Sequence, residues 1–443
     1  MNILYLHCHD TGRYISPYGY AADTQNLMKL AENGVVMRDM HCASPSCSPS
    51  RAALLTGMYP HNAGMMGLVN RGFDLEKTEN HLAKWLSVHG YTTILAGIQH
   101  VVKDRNKSGY DKVLQCPDIN RSMQIAENGM NAITADLSKP FFLDIGLFDT
   151  HRPFEDEHLT SNPNYIMPPT PIPDTPETRK DMAGYLTEAS SFDKVVGYIM
   201  DELEKRGLIE NTLVICTTDH GLAFPNMKCT LTKHGTGVFC IWSLPNKLPK
   251  GIVCDALSSQ IDIFPTICEV ANLPSPPWLQ GVSLLPVLNG EKNSVQDEVF
   301  AEVNYHCSYE PQRVVRTSRY VYIRRYTEID TVYCANCDEG YTKKLWVKND
   351  WASRHIDKEQ LYDSMFDPVE ADNRVNDPEY KPVLEDLRRC LYEWQTTTGD
   401  PILEGIITNY STNTPDENIY VSASEDINTY ELWERTVQPE GYA

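Results

Sequence analysis

Short apolar runs alternate with stretches of helical period through roughly the first 290 residues, the texture of an α/β chain. The runs at 3–8, 92–95, 141–147, 213–217 and 238–242 have strand length. Between them, 24–32, 81–89 and 179–205 follow a helical period. In 179–205, Met182, Tyr185, Leu186, Ala189, Phe192, Val196, Ile199 and Leu203 share one face, and Gly207 is a stop signal. This alternation predicts a large, mostly parallel sheet flanked by helices. From about residue 298 the pattern changes: 314–317 and 319–325 read as antiparallel strands and 382–396 as a helix. We therefore expect an α/β domain over 1–297 and a smaller α+β subdomain with an antiparallel sheet over 298–443. Proline clusters at 161–178 and 273–281 read as an irregular loop over one face of the sheet and a breaker near the end of the large domain.

Composition narrows the class. With 443 residues, 41% of them hydrophobic, the chain can bury a large core. It has no run of 18 apolar residues, so no transmembrane helix is expected. Met1 leads directly into a strand-like run with no basic segment or cleavage site, which predicts a cytoplasmic location. The 13 cysteines are odd in number and scattered through apolar runs, which favours reduced thiols over a disulfide framework. Cys334-Ala335-Asn336-Cys337 is a lone C-x-x-C with Cys307 and His306 as the only nearby further ligands; it reads as a structural metal site or as a cysteine-containing loop. The formal net charge of −21 argues against nucleic acid and against steering of long polyanions.

The densest chemical signal is Cys47-Ser48-Pro49-Ser50-Arg51-Ala52-Ala53-Leu54-Leu55-Thr56-Gly57. Pro49 suits the first turn of a helix, and Ser48 or Ser50 is available to cap it. Residue 47 then sits at the positive end of a helix running to about Thr56, which favours an anionic substrate. Arg51 lies one turn on, so its guanidinium can return to residue 47. Three polar clusters fall at carboxyl ends of predicted strands, where parallel sheets bind ligands: His9-Asp10, His151-Arg152 and Asp219-His220-Gly221. Any one of them reads equally well as a satisfied buried pair; together with Cys47 on one edge they define a candidate site.

The Cys47 segment resembles the signature of type I sulfatases of the alkaline phosphatase superfamily, C-x-P-S-R-x-x-x-x-T-G. At roughly 5% usage per fixed position, a chance match in a chain this long has a probability of about 10⁻⁵. The resemblance implies that a maturation enzyme oxidises Cys47 to formylglycine. The hydrated aldehyde then offers one hydroxyl to attack sulfur and a second to expel sulfate. Residues 2–10 resemble the family's opening strand, with His9 in place of the first of two metal-binding aspartates and Asp10 as the second. Thr217-Thr218-Asp219-His220-Gly221 resembles T-S-D-N-G, with histidine for asparagine. Gly97-Ile98-Gln99-His100 matches G-K-x-H but for Ile98, and Lys228 falls where a basic residue binds sulfate. Within the superfamily the look is closest to N-sulfoglucosamine sulfohydrolases. They share His61-x-x-Gly64-Met65-x-Gly67-Leu68, Asp149-x-His151-Arg152, and Leu361-Tyr362-Asp363 through Asp367-Pro368-x-Glu370.

What the resemblance implies is a metal-dependent sulfatase acting on a sulfate ester or sulfamate. Cys47 is the nucleophile and Arg51 positions it. Arg51, His100, Lys228 and Arg152 bind the substrate, and His151 is the acid for the leaving group. Asp10, Asp219, His220, residue 47 and His9 hold one divalent metal, with His9 either a ligand or a group behind one. Two imidazoles in place of oxygen ligands shift the preference from Ca²⁺ toward Mn²⁺ or Zn²⁺. The charge then favours a small or terminal sulfated group, of saccharide type, over a sulfated polymer, and no nucleic acid or membrane partner is expected. The alternative enzyme is a phosphonate monoester or phosphodiester hydrolase with the same nucleophile. A non-catalytic binding protein with residue 47 left as cysteine is the third reading.

Overall fold

The computed structural model describes residues 1–116, 118–133 and 139–405. Its centre is an eight-stranded sheet. Across the sheet the strands are Lys112–Val113, Thr92–Gly97, Phe141–Gly146, Asn2–Cys8, Thr212–Thr218, Cys240–Ser243, Val35–Met37 and Ile252–Cys254. Asn2–Cys8 lies between two parallel neighbours, with Ile3 opposite both Phe142 and Leu213. Cys240–Ser243 runs antiparallel to both of its neighbours, so the sheet is mixed, though mostly parallel. That strand begins at Cys240, two residues later than the expected 238.

Both faces of the sheet are covered, which is why its central strands are continuously apolar. Ile3 and Tyr5 join one core cluster with Leu54, Leu55, Leu82, Leu86, Phe264 and Ile267, from helices Cys47–Thr56, Leu82–Val88 and Ile263–Val270. Leu4, Leu6 and Cys8 point the other way, onto helices Gln25–Glu32, Ser122–Ala132 and Pro176–Lys205. The long helix starts three residues before the expected 179 because its cap lies upstream. Thr175 accepts from the Thr178 backbone N–H, Thr178 answers to the Thr175 N–H, and Pro176 fills the first turn.

The later part of the chain forms a four-stranded antiparallel sheet of Val299–Tyr305, Tyr309–Arg316, Tyr320–Arg325 and Glu359–Asp363. Helix Lys381–Thr398 packs Leu384, Leu387, Leu391 and Trp394 onto Val315, Tyr322 and Leu361 of that sheet. The expected subdomain also includes 406–443, which lie outside the described residues.

All 13 cysteines are free thiols. Cys334 and Cys337 sit in a short 3-10 turn packed on Trp351, and no metal-type cluster forms there among the described residues. No described helix is long and apolar enough to cross a membrane.

Candidate active site

Strand ends and one helix start bring the candidate residues together. Cys47 is the first residue of helix Cys47–Thr56. Ser46 occupies the cap position in extended conformation without a side-chain cap bond. Neither Ser48 nor Ser50 caps the helix, contrary to expectation. The Ser48 hydroxyl accepts from the Val69 N–H at 3.1 Å, and Ser50 donates to the Asp219 carbonyl at 2.6 Å. These bonds fasten the helix start to two loops, one of which carries a candidate ligand.

Ligand-type atoms of Asp10, Cys47, Asp219 and His220 lie within 4.8 Å of one another, and so do those of His9, Asp10, Cys47 and His151. His220 Nε2 is 3.3 Å from Cys47 Sγ and 3.3 Å from Asp10 Oδ1. The other ring nitrogen, Nδ1, is 3.0 Å from the Gly221 carbonyl, which can only accept. With Nδ1 engaged by that carbonyl, Nε2 is the nitrogen that faces two carboxylates and a sulfur. Asp10 Oδ1 is buried and has no hydrogen-bond donor among the described residues. Acceptors gathered in this way repel one another unless a cation lies between them, so the donor set fits a divalent metal. His9 Nδ1 is 3.1 Å from Asp219 Oδ2, which puts His9 against a candidate ligand as well as within the second group.

Arg51 Nη2 lies 3.0 Å from Asp219 Oδ2 and 3.1 Å from the Cys8 carbonyl, while its Nε is buried with no hydrogen-bond partner among the described residues. Lys228 Nζ is 3.0 Å from Asp10 Oδ2 and 3.0 Å from Asp338 Oδ2. Burial pushes the Cys47 thiol well above its ordinary range, and the Lys228 and Arg51 cations only partly oppose this. As a thiol it is a poor nucleophile, because the thiolate is the attacking form. Burial, reinforced by the Arg51 cation, lowers His100 to about 3, so it is a neutral imidazole. His151 stacks on Phe148 at 4.4 Å, with Nδ1 2.5 Å from the Arg152 carbonyl and Nε2 3.9 Å from Asp10 Oδ2.

Asp10 and His100 have φ of 48° and 53°, the left-handed region that a non-glycine residue adopts at a cost of roughly 1–3 kcal/mol. Thr150 and Cys229, at 68° and 64°, share this conformation beside His151 and Lys228. Strain of this kind persists only where surrounding structure holds it, and here four instances cluster on one site.

Arg152 is tied to the protein around it. It is bidentate to Asp181 at 2.7 and 2.9 Å, donates Nε to the Ala223 carbonyl at 2.7 Å, and lies against the rings of Phe154 and Phe224. Three of its five N–H donors are thus spent on the protein, and its place next to His151 in sequence is no guide to its direction. His61 is likewise structural, bound to Glu302 through Nδ1 at 2.5 Å. Three contributors were not anticipated: Asp338, which holds Lys228; His306, whose Nδ1 is 3.0 Å from Ser46 Oγ; and Gln260, which spans Ser50 and the Thr218 carbonyl. Asp338 adjoins the C-x-x-C, near which the sequence also places His306. No sequence signal pointed either of them, or Gln260, toward this site.

A helix N-terminus, a buried residue 47 and a metal-type donor set on the carboxyl edge of a sheet define a hydrolase of anionic esters. The family model described as Sulfatase matches residues 2–273, and that described as N-sulphoglucosamine sulphohydrolase, C-terminal, matches 234–350. The chain belongs to the sulfatase family and is a sulfuric ester hydrolase. It is 28% identical to the human N-sulphoglucosamine sulphohydrolase, covering 90% of this chain and 91% of that one. It is 26% identical to an ulvan-active sulfatase of Formosa agariphila, over 90% and 75% of the two chains. Among solved structures, a putative sulfatase from Bacteroides fragilis superposes with a TM-score of 0.74 at 18% identity, over 91% and 97% of the chains. A protein in complex with its substrate D-glucosamine-2-N,6-O-disulfate superposes with a TM-score of 0.71 at 19% identity, over 90% and 98%. These likenesses favour the sulfatase over the phosphonate or phosphodiester hydrolase.

Proposed function

We propose that the enzyme removes a terminal sulfate, as ester or sulfamate, from a small saccharide. The observation that carries this reading is the convergence of Asp10, Asp219, His220 and residue 47 within 4.8 Å. Asp10, Asp219 and His220, with His9 beside them, would hold one divalent metal; when bound it would polarise a substrate oxygen and lower the pKa of the attacking hydroxyl. Conversion of Cys47 to formylglycine by a maturation enzyme would supply the paired hydroxyls that a buried thiol lacks.

The remaining chemistry belongs to the chain itself. Arg51 has one unspent donor, Nε, with which to orient the modified residue 47. Lys228 and neutral His100 bind the sulfuryl oxygens, Lys228 as a charge and His100 as a neutral donor. Ile98 adds no cation to this pair. His151 directs Nδ1 at a carbonyl, which leaves Nε2 as the atom that passes a proton to the departing oxygen or nitrogen. A cavity of about 420 Å³ touches this constellation only at Lys228; Cys47, Arg51, His100 and His151 do not line it. The saccharide reading is supported by the relatives, one of them named for N-sulphoglucosamine and one solved with a glucosamine disulfate.

The experiment is turnover of glucosamine 2-N-sulfate and glucosamine 6-O-sulfate against a phenyl phosphonate ester, with intact mass measured in parallel. Sulfate release and a mass lower by about 18 Da than the unmodified chain are expected. Phosphonate hydrolysis exceeding both sulfates, or turnover by a chain of unmodified mass, would refute the reading.

A further inference from the structure

Two strand side chains with no part in the reading above form a buried line to Arg51. His7 lies on Asn2–Cys8 and Asp144 on the neighbouring strand Phe141–Gly146, and they are 2% and 1% exposed. Arg51 Nη1 is 2.6 Å from His7 Nδ1, and His7 Nε2 is 2.9 Å from Asp144 Oδ1. The Tyr110 hydroxyl donates to the other oxygen of Asp144. A guanidinium only donates, so Nδ1 must be the bare nitrogen; a carboxylate only accepts, so Nε2 must carry the proton. One neutral tautomer satisfies both neighbours, and Asp144 selects it.

The ring has a prepared seat. His7 stands opposite Gly146 in the parallel register, and a Cβ there would lie 2.6 Å from His7 Cε1. The Tyr5 ring lies beside it at 4.6 Å between centroids. Nη2 of Arg51 is held by Asp219 and the Cys8 carbonyl, whereas Nη1 is held by His7. His7 therefore fixes the half of the planar fork that the candidate metal ligand does not, and with it the direction of Nε.

We propose that His7 and Asp144 are positioning residues for Arg51, setting the plane of its guanidinium against residue 47 through one selected imidazole tautomer. This rests on the assignment of Arg51 to the nucleophile. The pair acts through Arg51, so its loss lowers kcat far more than it changes KM.

The test compares His7→Phe, which keeps a ring but deletes the acceptor, with His7→Asn, which returns an acceptor near the place of Nδ1. On 4-nitrophenyl sulfate, His7→Phe is expected to lose on the order of 100-fold in kcat with KM within about threefold, and His7→Asn to recover to within about tenfold of wild type. Crystal structures should show Arg51 withdrawn from Asp219 in His7→Phe and in place in His7→Asn. Where His7→Phe does not fold, Asp144→Leu against Asp144→Asn makes the same comparison, since only the asparagine retains an acceptor for Nε2. Arg51 unmoved in the variant lacking the acceptor, or equal impairment of both members of a pair, overturns the proposal. If the wild type hydrolyses no sulfate, the functional reading fails, and the position of Arg51 in the paired structures alone decides the positioning claim.

Discussion

His220 presents Nε2 to Cys47 Sγ at 3.3 Å, and its far nitrogen is tied to the Gly221 carbonyl. A candidate ligand and a candidate nucleophile thus share one point in space, fixed from behind by the backbone. Replacing Cys47 separates its catalytic role from its structural one. Cys47→Ala removes the precursor of the nucleophile yet fits a helix start, so the variant should fold and lose more than about 10³-fold in kcat. Cys47→Ser should also fail to turn over, because a serine sulfate has no second hydroxyl to expel it. Sustained multiple turnover by Cys47→Ala would remove residue 47 from the mechanism.

Asp10→Asn and Asp219→Asn should each lower metal content and activity together. Partners that merely orient a ligand are worth roughly 10–100-fold in metal affinity, so loss of a ligand should cost more than about tenfold. With imidazole in the donor set, elemental analysis should find Mn²⁺ or Zn²⁺ at least as readily as Ca²⁺. A Ca²⁺ held by oxygen alone, with the His9 and His220 rings turned away, would contradict the argument.

Arg152 offers a contrast inside a family-like motif. Its pair with Asp181 is buried, at 7% and 3% exposure, and removing one partner of such a pair costs roughly 3–5 kcal/mol. Arg152→Ala should therefore lower the urea midpoint, and the variant that remains folded should keep its KM within about threefold. A large KM increase with unchanged stability would restore Arg152 to the substrate.

How legible the molecule was from its sequence follows from the range of the forces involved. Strands 2–8, 141–146 and 212–218 are buried on both faces and announce themselves as apolar runs. Val35–Met37 and Ile252–Cys254, of three residues each, do not, nor does the antiparallel direction of Cys240–Ser243, which tertiary pairing decides. In the site, Cys47, Asp10, Asp219 and His220 were readable because each sits at an element boundary that local sequence marks. Arg152 was placed on the substrate beside His151, yet sequence proximity says nothing of which way a side chain leaves the backbone. Asp338 was missed because it meets Lys228 from a loop far along the chain, a contact that local sequence does not mark.

Acid stability should report the buried histidines. His81 accepts the Ala83 N–H through Nδ1 at the start of helix Leu82–Val88, and burial lowers it from 6.5 to about 4. Burial lowers His41 and His234 to about 4 as well. Between those values the unfolded chain binds protons that the native state refuses, so stability rises with pH. The contribution is fully present above 6.5 and is lost as pH falls toward 4. Each such group adds a slope of up to about 1.4 kcal/mol per pH unit. His81→Asn keeps an N-cap acceptor and removes one titrating ring. Urea unfolding of this variant from pH 4.5 to 7 should show a shallower slope by about that amount. An unchanged slope would mean that the ring titrates alike in both states.

Charge and room both bear on the size of the substrate. The net charge of −21 repels a long polyanion, and the repulsion strengthens as salt is lowered. At the candidate site, Asp338 stands 3.0 Å from the Lys228 ammonium, so the lysine has little charge to spare for a second anionic group along a polymer. The cavity of about 420 Å³ that touches the site at Lys228 alone has room for one or two sugar rings. We therefore predict that the specificity constant for a sulfated mono- or disaccharide exceeds that for a long sulfated glycosaminoglycan, counted per susceptible terminal group. The gap should widen as ionic strength falls, because the polymer is excluded by the field of the whole protein while the small substrate pays for fewer charges. Measuring both constants at low and moderate salt tests the two halves of the argument separately. A gap that stays constant with salt would leave room as the sole discriminator. A polymer preference that grows at low salt would require a basic groove that the net charge hides, and the small-substrate assignment would fall.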